Sequence, residues 1–201
     1  WGNGEFALPF GNYEVKITVP ADHILDATGE LQNRKEVFSK DMLKRYNKAK
    51  KSYDKPIMIV TQAEAEEAEK NFSKDKNTWH FKAQNVRDFA FASSRKFIWD
   101  ALGHDVGGNR VLCMSFYPNE GEPLWSLYST RAIVHTLNVY SKYTFNYPYP
   151  IAISVNGPVG GMEYPMCTMV LGAGEDYRGF FGLFAHETCH NWYYGIDRKS
   201  V

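Results

Sequence analysis

The segment His186-Glu187-Thr188-Cys189-His190 sets two histidines four residues apart with a glutamate directly after the first. On a helix, residues four apart lie one turn above each other, so both imidazoles can face one metal ion, while Glu187, about 100° further round, leans over the adjacent open position. This is a set for metal-assisted hydrolysis. Zinc held by neutral imidazoles and a third ligand keeps a water whose pKa falls toward about 7, and a neighbouring carboxylate can take its proton and hand it to the leaving amine. With 6 His and 13 Glu in 201 residues, chance supplies about 0.01 such patterns in a chain of this length. The pattern also falls on the most apolar helical stretch of the chain, where two imidazoles and a carboxylate are otherwise costly. His186 and His190 are therefore the candidate ligands of one Zn2+ ion, and Glu187 the candidate general base. His23, His80, His104 and His135 lack such spacing and read as surface or hydrogen-bonded core residues. Cys189 reads as a core thiol, because a thiolate at that place would displace the water.

Upstream, Val159-Gly160-Gly161-Met162-Glu163-Tyr164-Pro165 puts two glycines and one carboxylate into a region of strand-like apolar sequence. Glycine in or beside a strand marks a place where another backbone can approach closely, and an extended peptide can pair with a sheet edge there. Glu163 can then face the free ammonium group of that peptide, the contact that separates an exopeptidase from an endopeptidase. Taken alone, a Gly-Gly turn with a solvated Glu explains the segment as simply.

Taken together, Gly160-Gly161-Met162-Glu163 and the downstream His186-Glu187-x-x-His190-Asn191-Trp192 resemble the gluzincin zinc aminopeptidase family, the alanyl-type aminopeptidases whose relatives include the leukotriene hydrolase. The resemblance is to bacterial members and runs through Leu8-Pro9-Phe10-Gly11-Asn12-Tyr13, Asn85-Val86-Arg87-Asp88-Phe89-Ala90 and Tyr147-Pro148-Tyr149-Pro150. It implies that Glu163 binds the substrate α-amino group, that Gly160, Gly161 and Met162 line the peptide backbone, that His186 and His190 hold zinc, and that Glu187 is the base. The implied partners are peptides with a free N-terminus. The family's third zinc ligand, a Glu, is expected beyond Val201, as are an oxyanion-stabilising Tyr and a helical domain, so this chain by itself is expected to be inactive. Asp197, seven residues after His190, is too near to fold back as a substitute. Tyr164 stands where the family usually has Asn. On the residues themselves, a zinc endopeptidase of thermolysin-like fold and a catalytically inactive peptide-binding scaffold stay open as alternatives.

Elements must hold these groups in place. Residues 1–100 carry 17 basic and 15 acidic side chains, whereas residues 101–201 carry 6 and 8. Charge is costly to bury, so the second half should hold more of the core. In the first half, Tyr13–Val19, Pro56–Thr61, Trp79–Ala83 and Asp88–Ala92 have strand patterning. Between the first two, Arg34 to Lys55, with nine basic and three acidic residues, reads as a solvated helical excursion, and Glu64–Glu69 as a surface helix. In the second half, Asn109–Tyr117, Ile151–Val155 and Met166–Leu171 read as strands, and Thr130–Tyr143 and Gly179–Tyr194 as helices. Gly103, Gly107 and Gly108 break the pattern within Ser94–Gly108.

The fold class is α+β: a mainly-β N-terminal domain over residues 1–98 with the charged helical excursion near 34–55, then a second domain over 99–201. With the resemblance, the first is the C-terminal portion of a sandwich- or saddle-like β-domain and the second a thermolysin-like catalytic domain, incomplete at its C-terminus. Formal net charge is +0, which implies neither a broad nucleic-acid surface nor a strongly acidic tail, and no nucleic-acid partner is expected. No run approaches the roughly 18 apolar residues of a membrane span. Trp1-Gly2-Asn3-Gly4 is neither an initiator methionine nor a leader, so the start reads as cut. Cys113, Cys167 and Cys189 have no C-x-x-C pairing and read as buried free thiols. A periplasmic or secreted location is slightly favoured over a cytoplasmic one, and the oligomeric state is left open.

Overall fold

The computed structural model describes residues 8–171 and 176–192. The first half runs β1 (Gly11–Pro20), β2 (Ile24–Ala27), β3 (Glu30–Leu31), α1 (Arg34–Val37), α2 (Lys40–Ala49), β4 (Ile57–Val60), α3 (Gln62–Lys70), β5 (Lys76–Val86) and β6 (Phe91–Ser94). The second runs β7 (Ile98–Val106), β8 (Asn109–Tyr117), α4 (Thr130–Tyr143), β9 (Ile151–Asn156), β10 (Gly161–Tyr164), β11 (Cys167–Val170) and α5 (Tyr177–Cys189). Mostly strands with some helices, the chain is α+β.

Three sheets result, with strand orders β1-β5-β3, β2-β6 and β10-β11-β9-β8-β7-β4. β1 alternates exposed and half-buried residues along most of its length, the period of a strand with one covered face. The largest sheet is built mainly from the charge-poor half, with β4 added from the other: β9 is buried throughout and β8 nearly so, because α4 and α5 lie against the sheet and leave little of it wet.

The Arg34–Lys55 excursion divides into α1 and α2, and it is amphipathic rather than merely solvated. Ser39 caps α2 by accepting from the Met42 N–H at 3.1 Å, and the buried Tyr46 joins Phe38, Trp79 and Trp99 in one aromatic cluster. The Glu64–Glu69 helix is α3, closed by a capping box between Thr61 and Glu64.

Ser94–Gly108 is corrected. Its glycines do not interrupt the structure; Ile98–Val106 is an inner strand pairing β4 on one side and β8 on the other. Gly107 and Gly108, at φ +55° and +88°, make the tight β7–β8 turn that left-handed residues allow. Gly103 is a close approach: a Cβ there would lie 2.8 Å from the Lys50 carbonyl and collide with Arg110. Through β4, the large sheet takes a strand from across the proposed division between residues 98 and 99. The Asp88–Ala92 strand is displaced to Phe91–Ser94, and α5 begins two residues before Gly179. It ends at Cys189, with His190 as its C-cap and Asn191 and Trp192 in a turn, short of the expected end at Tyr194; Tyr194 itself, Trp1–Gly4 and Asp197 lie outside the described residues. Among the described residues, no helix is long and apolar enough to cross a membrane.

Candidate functional site

Two elements build the site. α5 begins where Asp176 accepts from the Gly179 N–H at 2.8 Å. It is then anchored by Phe180 and Phe184, both buried against Trp125 with ring centroids 5.7 and 5.0 Å away. Just beyond Phe184 the same helix carries His186 and Glu187, and His190 is its C-cap. His186 is exposed, His190 half-buried and Glu187 only 4% exposed. The two imidazole Nε2 atoms lie 3.2 Å apart with the rings nearly perpendicular, at 88°. That is about the separation of two nitrogens each bound at about 2.0–2.1 Å to one tetrahedral ion, so the helical spacing fits a shared metal.

The second element is β10, at the end of the large sheet and paired, among the described residues, with β11 alone. It carries Gly161, Met162 and Glu163. Alternation along the strand turns Glu163 and its cross-strand neighbour Thr168 to one face and Met162 and Met169 to the other. Ligand atoms of Glu163, Glu187 and His190 all lie within 4.8 Å of one another. His186 stands outside that mutual group and reaches it through His190. The two imidazoles offer nitrogen donors that suit zinc, and the carboxylates of Glu163 and Glu187 stand beside His190 where they could act on a bound water or substrate.

The two glycines differ. Gly161 lies under the Glu187 carboxylate: a Cβ there would collide with Glu187 Oε1. Gly160 faces open space. Gly161 is thus needed for room at the carboxylate, a reason distinct from the backbone contact that the resemblance implies.

Asn191 was visible in the sequence only as the residue after His190. It is buried, accepts from the Met166 N–H at 2.8 Å through Oδ1 and donates through Nδ2 to the Thr188 carbonyl at 3.2 Å. It therefore ties the end of α5 to the β10–β11 turn. Met166 in that turn has φ +62°, a left-handed conformation uncommon for a bulky residue. Trp192 donates to the Phe145 carbonyl at 2.8 Å and packs on Tyr147. No periodicity signals such contacts, because they join segments far apart in the chain.

Cys113 and Cys167 are buried free thiols, with burial pushing both pKa values up. Cys189 is half-buried and shifted the same way by the same cause.

No protein-family model matches the chain, and no curated protein sequence matches it. Solved structures do. An M1 zinc metallopeptidase from Deinococcus radiodurans is 16% identical, with a TM-score of 0.59 over 92% of this chain and 34% of its own. A mutant from the same organism is 15% identical at TM-score 0.59, covering 92% of this chain and 35% of its own. A two-domain M1 zinc metallopeptidase mutant bound to L-tryptophan is 15% identical at TM-score 0.56, covering 89% and 34%. The chain spans about a third of the length of these structures, and over that span it has the fold of M1 zinc metallopeptidases.

Proposed function

We propose that the chain carries the metal-binding and substrate-anchoring part of a zinc aminopeptidase. The observation that carries this is the meeting of Glu163, on an edge strand, with Glu187 and His190 on a helix, all within 4.8 Å. His186 and His190 hold the zinc, with a further ligand from the rest of the complete protein. A zinc ion held by them would supply Lewis-acid polarisation of a water molecule and of the scissile carbonyl. Glu187 takes a proton from that water on its carboxylate and delivers it to the departing amine. The open edge of β10 pairs with the backbone of an extended peptide, while Glu163 receives the peptide's α-ammonium by a charge-assisted hydrogen bond. The similar two-domain enzymes bound to L-tryptophan and L-arginine support this reading, since a free amino acid bears such an ammonium.

The test compares free and N-acetylated aminoacyl reporters with the complete protein and its Glu163→Gln variant. Glu163→Gln should lose at least about tenfold in kcat/KM on free-amine substrates, about 1.4 kcal/mol of interaction. Both proteins should cut blocked reporters poorly. An unchanged ratio of free to blocked turnover would remove the ammonium anchor and leave a zinc endopeptidase. Metal analysis of His186→Ala checks the ligand assignment: loss of zinc is expected, and retained stoichiometric zinc refutes it.

A further inference from the structure

Thr28 follows β2 directly and is fully buried. Its backbone N–H donates to the Ala90 carbonyl at 2.9 Å, and its hydroxyl accepts from the Ala90 N–H at 3.1 Å. An amide N–H can only donate, so the hydroxyl's own proton is left for its other neighbour. That neighbour is the Pro165 carbonyl, 2.9 Å away and 137 residues along the chain. The chain turns sharply just after Thr28: Gly29 has φ +97° and sits so close to Lys82 and Ala83 that no side chain fits. The hydroxyl is therefore held from both sides and has one direction in which to donate.

Pro165 and Met166 form the turn between β10 and β11, and Pro165 is two residues after Glu163. Three bonds hold this turn. Ile153 N–H on β9 donates to the Met166 carbonyl at 2.8 Å, Met166 N–H donates to Asn191 Oδ1 at 2.8 Å, and Thr28 donates to Pro165. The first two come from the sheet and helix that bear the site. The third comes from the N-terminal β-structure. A left-handed Met166 persists only where its surroundings over-determine the backbone, so each of the three bonds bears on where β10 lies.

We propose that Thr28 is a positioning residue for the strand that binds the substrate's amine: by donating to the Pro165 carbonyl it transmits the placement of the N-terminal β-structure to Glu163 without touching substrate. This rests on the reading of Glu163 as the ammonium anchor. His186 and Glu187 sit on α5 and His190 caps its end, and the helix has its own aromatic anchor in Trp125, Phe180 and Phe184. Loss of the Thr28 bond therefore shifts the anchor more than the reacting centre.

The experiment uses the complete protein and a free-amine aminoacyl reporter. Thr28→Val keeps the shape of the side chain and removes the hydroxyl. It should raise KM at least about fivefold, since small misplacements of a positioning group are costly, with a much smaller change in kcat and unchanged zinc content. Thr28→Ser should restore KM. In a Glu163→Gln background, Thr28→Val should have almost no further effect, because residues acting through one another are non-additive. A wild-type KM in Thr28→Val, or losses that simply add to those of Glu163→Gln, overturns the role of Thr28. Should Thr28→Val not fold, Thr28→Ala, which also removes the hydroxyl, is read the same way: raised KM supports the role and wild-type KM overturns it. A wild-type protein that does not prefer free over blocked substrates overturns the anchor reading and this proposal together.

Discussion

At the scale of single residues, Gly161 and Glu187 contend for the same volume. A methyl group at 161 meets Glu187 Oε1, whereas one at 160 meets nothing within 4 Å. Gly161→Ala should therefore push the buried carboxylate off its position. We expect kcat in the complete protein to fall at least about tenfold, with zinc retained and with a clearly smaller effect from Gly160→Ala. Steady-state kinetics beside metal analysis checks this, and equal effects of the two substitutions would refute it. Glu187→Gln tests the base more directly. The amide keeps the shape and cannot accept the water's proton, so turnover should drop by about 10²-fold or more at constant zinc. That His186 and His190 face each other across one helical turn was legible in the sequence, because a helix repeats every 3.6 residues and fixes which side chains share a face. The reason for Gly161 was not, since it depends on a helix sixteen or more residues away lying across the strand.

At the scale of elements, the end of α5 and the β10–β11 turn are one unit joined by Asn191. Asn191→Ala leaves the buried Met166 N–H without its acceptor, which costs about 1–3 kcal/mol. Denaturant unfolding should show that loss as a lower midpoint with an unchanged slope, and an unchanged midpoint would mean the bond is dispensable. Helix α4 spans Thr130–Tyr143 as its apolar spacing predicts. The strands at Gly11–Pro20, Asn109–Tyr117 and Ile151–Asn156 likewise follow their patterning. The reading failed at Ile98–Val106, where Gly103 looked like an interruption. The close approach of Lys50 and Arg110 that makes glycine necessary there is a contact across 53 and 7 positions respectively, and the first lies far beyond what a local window contains.

At the scale of the whole molecule, buried carboxyls make stability depend on pH. Burial pushes Asp26 up to about 8, against weaker opposing effects of the Ala27 N–H and Arg34. Burial also pushes Asp100 up to about 7, against hydrogen bonds from Thr130 and Tyr117. In the unfolded chain both titrate near about 3.9, so between about pH 4 and 7–8 the native state holds protons that the unfolded state has released. Stability must then fall as pH rises through that window and level off above it. Glu64 acts oppositely: Arg45 holds it down at about 2, and the stability it contributes is lost as pH falls from about 4 toward 2. Unfolding midpoints should thus be higher at pH 5 than at pH 8, and Asp26→Asn should flatten the difference. An equal slope in Asp26→Asn would place the coupled protons elsewhere. Composition and short-range periodicity suffice for the α+β class, most element positions, the charge-poor half as the richer in buried sheet, and the placing of His186 and Glu187 on one helix with His190 at its end. No such pattern foretells that Glu163 reaches Glu187 and His190, that β4 joins the larger sheet, or that Thr28 donates to the turn behind Glu163. Each depends on which distant segments lie side by side, and that is set by packing of the whole chain rather than by any local pattern.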